Sequence, residues 1–232
     1  MSEFSDEKIL ESWHQNAKAW INSIEHREIE SRILVTNKAI VDCILDKNPL
    51  NVLDIGCGEG WLSRELNNFG IQTLGIDAVP ELIDEATKKG KGNFKLIPYE
   101  DISKENIHEK FDVAVCNFSL IGNESVKKIF KNLPELLTKN GYFIVQTLHP
   151  ILGCGDSAYQ DGWRKGSWKG FSDSFTNPAP WYFRTLDTWI NLFVTNGFII
   201  NSIIEPIHPK TKSIASILFV GKLKTVNNSN NP

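Results

Sequence analysis

Glycines and acidic residues stand where two neighbouring strands are predicted to end. Asp54 lies near the end of a short apolar segment, residues 51–55, which runs directly into the loop Gly56-Cys-Gly58-Glu-Gly60. Glycine lets a backbone turn sharply and approach a ligand closely, and the amides that open the next helix suit a polar or anionic group. Asp77 ends the next predicted strand, where a carboxylate is placed to accept both hydroxyls of a ribose. Together the two features predict a nucleoside site.

Each feature alone also has a structural interpretation, in which the glycines shape a turn and Asp77 caps the following helix. The nucleoside site itself admits two ligand classes. Dinucleotide loops usually read G-x-G-x-x-G, because the pyrophosphate needs the helix N-terminus. Here the third glycine comes one residue early, and Glu59 stands where it would repel phosphate charge. The loop therefore favours a ligand without phosphates.

The elements that position these residues alternate between strand and helix. We predict strands at residues 51–55, 72–76, 94–97, 111–116 and 142–147, with helices at 61–69, 80–89 and 126–137. Such alternation indicates right-handed crossovers and a parallel sheet that is covered on both faces. A helix capped by Thr185 and an antiparallel hairpin, residues 198–204 and 214–220, complete the pattern.

Two segments lie outside this alternation. Residues 5–48 read as helices, the first capped by Ser5 or Asp6 and the second covering residues 31–46. The Trp13 and Trp20 stripe is interpreted as core packing, and Arg32 as a surface ion pair rather than a partner of a cofactor carboxylate. Residues 150–183 are rich in glycine and tryptophan, which predicts a mobile cover with a tryptophan on an apolar acceptor pocket.

The glycine loop and Asp77 together resemble motifs of the class I S-adenosylmethionine-dependent methyltransferases. Residues 111–119, Phe-Asp-Val-Ala-Val-Cys-Asn-Phe-Ser, resemble the fourth-strand motif of that family. Further matches point to a subgroup of small bacterial methyltransferases of mostly unassigned substrate, and the resemblance spans roughly residues 13–221. These are His149-Pro150-Ile151, Phe183-Arg184-Thr185-Leu186, Asn196-Gly197-Phe198 and Glu205-Pro206.

The resemblance implies a Rossmann-like, doubly wound α/β fold. Its seven-stranded sheet would be mostly parallel, with an antiparallel terminal strand, and an N-terminal helical cap would lie over the cofactor. Residues 1–232 would form a single methyltransferase domain. Its parts would be the cap (1–48), the cofactor-binding core (49–149), a lid and acceptor-site insertion (150–183), a terminal helix and β-hairpin (184–223) and a frayed tail (224–232).

The resemblance also implies the cofactor, S-adenosylmethionine, and the residues that hold it. The loop would lie against the methionine moiety, Asp77 and its neighbours would bind the ribose, and the segment after the third strand would reach the adenine. In that segment Asp101 is preferred to Glu100 as the acid, and the end of the fourth strand would approach the sulfonium. The expected contacts are Asp54, Gly56, Cys57, Gly58, Asp77, Ala78, Leu82, Asp101, Ile102, Asn117, Phe118 and Ser119.

Two further residues are candidates for the acceptor end. His149 directly follows the fifth strand, at the edge of the sheet where ligands bind, and an imidazole there could accept a proton as a general base. Arg184 could hold an acceptor carboxylate or phosphate in a two-pronged contact. The structural alternatives are that His149-Pro150 fixes a turn and that Arg184 pairs with Glu205 or Asp187.

Composition narrows the function classes. The net charge of −3 argues against nucleic acid as a partner, and no apolar run approaches a membrane span. Five His and four Cys show no metal-ligand spacing, and the cysteines read as reduced thiols of a cytoplasmic protein. Methyltransferases that act on DNA adenine or glutamine side chains often carry Asn/Asp-Pro-Pro-Tyr after the fourth strand. This sequence reads Asn117-Phe-Ser-Leu120 there, which argues against both activities.

We therefore expect an enzyme that methylates a small-molecule acceptor. Two alternatives are an NAD(P)-dependent oxidoreductase and a non-catalytic nucleoside-binding module. The sequence leaves open the acceptor, the atom that is methylated, the use of a general base and the oligomeric state.

Overall fold

The computed structural model describes residues 3–225 and contains two β-sheets. The larger sheet has seven strands in the order β3-β2-β1-β4-β5-β9-β8, and β6 and β7 form a separate antiparallel pair. The strands are β1 Asn51–Ile55, β2 Gln72–Asp77, β3 Asn93–Leu96, β4 Phe111–Asn117, β5 Leu137–Thr147, β6 Gly162–Arg164, β7 Trp181–Phe183, β8 Phe198–Ile204 and β9 Ile217–Leu223. Strands β1 to β5 pair in parallel, whereas β9 is antiparallel to both of its neighbours, β5 and β8. The predicted Rossmann-like sheet is confirmed.

The helices are α1 Asp6–Glu25, α2 Asn37–Leu45, α3 Trp61–Asn68, α4 Pro80–Lys89, α5 Glu124–Asn132, α6 Pro150–Gly153 and α7 Leu186–Thr195. None that lies within residues 3–225 is long and apolar enough to cross a membrane. A π-helical turn, Arg32–Thr36, leads into α2. The helix predicted at 126–137 ends earlier, because Pro134 diverts the chain into the 3₁₀ turn Leu133–Leu136. Most of the predicted tail, residues 226–232, lies outside the described residues.

The sheet is buried on both faces because its central strands are apolar on both. Successive side chains of a strand point to opposite faces. Val52 packs with α2 and α3, and its neighbour Leu53 packs with α5 and α7. Both side chains are fully buried, as are Val113 and Ala114 at the equivalent places of β4. A two-sided core of this kind fixes the strand register, so the loops at the carboxyl ends of β1, β2 and β4 are brought to one edge.

Helix α1 lies across that edge. Ser5 caps it by accepting a hydrogen bond from the Lys8 amide, as predicted. The carboxylate of Asp6 accepts hydrogen bonds from the amides of Asn123 and Ser125, both at 2.7 Å, which ties α1 to the start of α5. Farther along, Ala17 packs against α4. The helix thus forms a roof over the carboxyl ends of the strands.

Residues 150–183 pack against this roof instead of forming an irregular loop throughout. The Asn16 side chain exchanges two hydrogen bonds with the backbone of Thr176, at 2.7 and 2.8 Å. The Trp168 ring meets Trp13 edge to face at 5.9 Å and lies 4.7 Å from Phe175. The segment also contains α6 and the β6–β7 pair, which the sequence did not predict.

Candidate active site

A cavity of about 780 Å³ opens at the carboxyl ends of β1, β2 and β4, beneath α1. Its volume lies within the roughly 300–1,000 Å³ that is typical of small-molecule sites. The sequence-predicted residues on its wall are Gly56, Cys57, Gly58, Asp77, Ala78, Leu82, Asn117, Phe118 and Ser119. Asp54, Asp101 and Ile102 are not on the wall.

The glycines of the loop have distinct tasks. Gly56 and Gly58 have φ values of +70° and +58°, in the left-handed region that favours glycine. A Cβ at Gly56 would clash with the Tyr99 hydroxyl and lie 2.5 Å from the Ser119 Cβ, so this position is closed by Tyr99 and by the residues that follow β4. The nearest atom to a Cβ at Gly58 would be Trp20 Nε1, at 3.4 Å. Gly58 therefore faces the gap between the loop and the α1 roof.

Asp77 both organises this loop and lies on the cavity wall. One carboxylate oxygen accepts a hydrogen bond from the Gly58 amide at 2.9 Å, and the other accepts from the Val79 amide at 3.0 Å. Burial raises the pKa of Asp77, although these backbone hydrogen bonds oppose the shift. Each carboxylate oxygen has a further lone pair, so both can accept from a ligand hydroxyl as well.

Asp54 lies in the core behind the loop. The Ser63 hydroxyl donates to its carboxylate at 2.9 Å. Burial raises the pKa of Asp54 to about 7, with the Ser63 hydrogen bond opposing the shift and the charge of Asp77 adding to it. The expected direct contact with a methionine moiety does not match this position, because α3 and the loop backbone cover the side chain; its effect on a ligand would pass through the loop.

The end of β4 contributes an acceptor and a constrained backbone. Phe118 has a φ of +56°, and the Ser119 hydroxyl donates to the Ile55 carbonyl at 2.8 Å, which joins β4 to β1. The Asn117 Oδ1 atom is buried and has no hydrogen-bond partner within residues 3–225. Leaving such an oxygen unsatisfied costs about 1–3 kcal/mol, so Asn117 is suited to accept from a ligand donor.

Of the two acids in the segment after β3, Glu100 lies on the cavity wall and Asp101 does not. Tyr99–Asp101 form a 3₁₀ turn, in which successive side chains point in directions about 120° apart. Both acids are exposed, but the turn places only Glu100 on the cavity wall, and it buries Ile102 completely in the core. Tyr99 also lies on the wall and donates to the Ser119 carbonyl at 3.1 Å.

Arg32 is a site residue that the sequence interpretation missed. Its guanidinium lies 4.9 Å from the Trp61 ring centre and 5.5 Å from that of Trp20, and all three residues line the cavity. Burial lowers its pKa to about 10, which leaves it charged at neutral pH. Glu59, the acid that opposes this shift, is itself paired with Arg64 and Lys89. The predicted surface ion pair for Arg32 is therefore wrong.

A second chamber, of about 320 Å³, adjoins the first. Trp13, Trp20, Phe118, Ile121, Leu148 and Phe171 lie on the walls of both. The second chamber is otherwise lined largely by rings, among them Trp168, Trp181, Tyr182, Phe183 and Trp189. Two of the three tryptophans in residues 150–183 thus line an apolar space beside the first cavity.

Arg184 lies on the wall of the second chamber, with only 3% of its surface exposed. Nη2 donates to the Asn123 carbonyl at 3.2 Å, and the guanidinium lies 4.9 Å from the Tyr182 ring centre and 5.3 Å from that of Trp189. The carboxylates suggested as its structural partners have other contacts. Glu205 pairs with His149, and Asp187 accepts from Asn191.

His149 lies on the wall of neither chamber. Its Nε2 atom is 2.7 Å from the Glu205 carboxylate, and the ring is 5% exposed. Its place between β5 and α6, with Pro150 opening α6, fits the structural alternative in which this dipeptide fixes a turn.

Comparisons with known proteins identify the family to which the chain belongs. A family model described as "Methyltransferase domain" matches residues 24–202. A ubiquinone biosynthesis O-methyltransferase of Rickettsia canadensis is 28% identical over 206 residues, which cover 84% of this chain and 87% of the relative.

Two solved structures share the fold. One is an S-adenosylmethionine-dependent methyltransferase from Clostridium acetobutylicum, with a TM-score of 0.65, 17% identity and coverage of 90% of this chain and 98% of that one. The other is the magnesium protoporphyrin IX methyltransferase of Synechocystis with bound S-adenosylmethionine, with a TM-score of 0.63, 15% identity and coverage of 97% and 100%. Neither the oxidoreductase nor the non-catalytic alternative is favoured by these matches. The chain belongs to the methyltransferase domain family and is a class I methyltransferase that uses S-adenosylmethionine.

Proposed function

We propose that the enzyme transfers the methyl group to a hydroxyl oxygen of a small aromatic acceptor bound in the second chamber. The observation that carries this proposal is the ring-lined chamber that shares walls with the cofactor cavity at Phe118 and Leu148. Aromatic walls favour planar apolar ligands through offset and edge-to-face contacts. The relative from Rickettsia canadensis, named as an O-methyltransferase, supports oxygen as the methylated atom.

The residues on the first cavity fit S-adenosylmethionine. Asp77 would accept from the ribose hydroxyls, and Glu100 would accept from the adenine amine. Asn117, with its unpartnered Oδ1, would accept from the cofactor ammonium, and Arg32 would hold the cofactor carboxylate. When bound, the cofactor supplies a methyl group that its sulfonium has already activated.

The protein's own task is then to orient the acceptor and exclude water. Holding the reacting atoms in line can supply roughly 7–11 kcal/mol of a barrier. Helix α1 and residues 150–183 perform both tasks, because Trp13 and Trp168 form one packed unit over the shared wall. Since His149 lies on neither chamber, we assign it to the turn that begins α6 and not to proton transfer. The acceptor hydroxyl would then lose its proton to solvent, by ionising before the methyl group is transferred to its oxygen.

The proposal is tested by following methyl transfer to matched phenols, anilines and thiophenols at saturating cofactor. We expect products methylated on oxygen, and no consumption of cofactor with the anilines. Titration with S-adenosylhomocysteine and with NAD⁺ gives the matched binding control, and only the former should bind. Transfer to nitrogen or sulfur alone would contradict the proposed acceptor.

A further inference from the structure

We infer that the acceptor carries a carboxylate, and that Arg184 holds this group on the wall of the second chamber. The inference rests on the proposed function, because it places the acceptor in that chamber. It adds the charge of the substrate, which neither the family nor the proposed O-methylation specifies.

The guanidinium of Arg184 lacks the partners that a buried cation normally has. Its Nη1 atom is buried and has no hydrogen-bond partner within residues 3–225. Three carboxylates lie near enough to favour its charge, but each has another partner: Asp161 accepts from the Thr185 amide, Asp6 accepts from the Asn123 amide, and Glu124 pairs with Lys127. Among the described residues that line the second chamber, Arg184 is the only one with a charged side chain.

A buried cation that no carboxylate contacts directly is costly, and this cost indicates which ligand group would fit beside it. Burial lowers the pKa of Arg184 to about 10, so the side chain stays charged at neutral pH. The rings of Tyr182 and Trp189 offset part of the cost through cation–π contacts. An anionic ligand group would supply both the counter-charge and an acceptor for the unpartnered donor.

The chamber favours a carboxylate over a phosphate. A phosphate monoester carries a charge between about −1.5 and −2 at neutral pH and needs several donors. This wall offers one guanidinium, in which Nη2 is already engaged by Asn123. A single carboxylate on an aromatic ring matches one cation among apolar rings, because it leaves no second charge to be desolvated.

The two cavities also show the same pattern twice. The first contains Arg32, a guanidinium between two tryptophan rings, where the proposed cofactor brings one carboxylate. The second contains Arg184, between Tyr182 and Trp189, where the acceptor would bring another. Arginine is the residue preferred for such sites, since its planar group stacks on rings and bonds carboxylates.

The test compares an acid with its neutral amide in the wild-type protein. With the cofactor cavity saturated by S-adenosylhomocysteine, 3,4-dihydroxybenzoate and 3,4-dihydroxybenzamide are titrated, with quenching of tryptophan fluorescence as the readout. The pair is repeated with the mono-hydroxylated and cinnamate analogues, so that ring size is also varied. We expect the acids to bind at least tenfold more tightly than their amides, and equal or weaker binding of every acid would overturn the inference.

Two variants assign the preference to Arg184. Arg184→Met keeps an unbranched apolar stem and removes the charge, so the acid and the amide should bind within about twofold of each other. Arg184→Lys keeps the charge and should retain part of the preference, which protects the test if the Met variant does not fold. Arg164→Met is the matched control, because Arg164 is an arginine of β6 that stacks on Phe183 but lies off the chamber wall.

The controls separate this inference from the proposed function. Affinity for S-adenosylhomocysteine should stay within about twofold in all three variants. If the enzyme methylates catechol and the amide on oxygen as efficiently as it methylates the acid, the proposed O-methylation stands and the carboxylate inference fails. If the acids keep their full preference in both Arg184 variants, another group holds the carboxylate and the assignment to Arg184 is wrong.

Discussion

Replacing Gly58 with alanine should block cofactor binding while the protein still folds. The new Cβ would stand 3.4 Å from Trp20 Nε1, an ordinary contact, so nothing in the protein has to move. It would, however, fill the gap between the glycine loop and α1, where the cofactor must pass over the loop backbone. The same change at Gly56 would place a Cβ 2.5 Å from the Ser119 Cβ and should damage the fold itself.

The size of both effects can be estimated. Gly58 has a φ of +58°, and a left-handed conformation costs a residue with a Cβ about 1–2 kcal/mol in folding free energy. For a domain of this size, that cost corresponds to a fall in Tm of roughly 2–8 °C. The added methyl group should weaken S-adenosylhomocysteine at least about 100-fold, which corresponds to about 2.7 kcal/mol.

Gly70→Ala is the matched control for this substitution. Gly70 has a φ of +81°, and a Cβ there would meet nothing within 4 Å. It should therefore show a similar loss of Tm and unchanged cofactor affinity in calorimetric titration. If Gly58→Ala bound S-adenosylhomocysteine as tightly as the Gly70 variant, the cofactor would not cross the loop at Gly58, and the reasoning would be refuted.

Three further predictions concern the acidic residues around the cavity. Asp77→Asn should weaken S-adenosylhomocysteine by roughly 1.5–3 kcal/mol and lower Tm, since the same carboxylate holds the Gly58 amide; unchanged affinity in a folded variant would count against the ribose contact. Glu100→Gln should weaken cofactor binding several-fold, whereas Asp101→Asn should leave it unchanged in the same titration. Weaker binding in the Asp101 variant alone would instead support Asp101 as the acid at the adenine. Because the pKa of Asp54 is raised to about 7, the folded protein retains a proton that the unfolded chain loses near pH 4. The stabilisation that this bound proton gives the folded state is full below about pH 4 and is lost as the pH rises toward 7. The free energy of unfolding falls by on the order of 4 kcal/mol over this range. Asp54→Asn should therefore gain stability relative to wild type as the pH rises from about 4 to about 7 in chemical denaturation, and a constant difference would refute the shift.

Local spacing explains why the cofactor cavity could be predicted in outline. The glycine loop and Asp77 each follow a buried strand directly, so the parallel sheet alone brings them to one edge. The hydrogen bond between Gly58 and Asp77 then joins residues that are nineteen apart in sequence. The direction of side chains within a short turn is not encoded this simply, and so the choice of Asp101 over Glu100 did not match the cavity wall.

Residues contributed by the roof needed the tertiary structure. Arg32 reads as a surface residue until α1 brings Trp20 beside it and α3 brings Trp61 below it. The second chamber depends on the β6–β7 pair, whose three-residue strands carry no recognisable alternation of polar and apolar residues. The sequence also did not indicate that Arg184 lacks an ion pair. One of its suggested partners, Glu205, is engaged by His149, and this contact becomes visible only in the tertiary structure.

A crystal structure of the protein with S-adenosylhomocysteine tests the central claim most directly. We predict that both ribose hydroxyls donate to the Asp77 carboxylate, that the adenine amine lies beside Glu100, and that the sulfur faces the wall at Phe118 which the two chambers share. A cofactor bound elsewhere on the sheet edge, or one whose sulfur points away from the second chamber, would contradict the account.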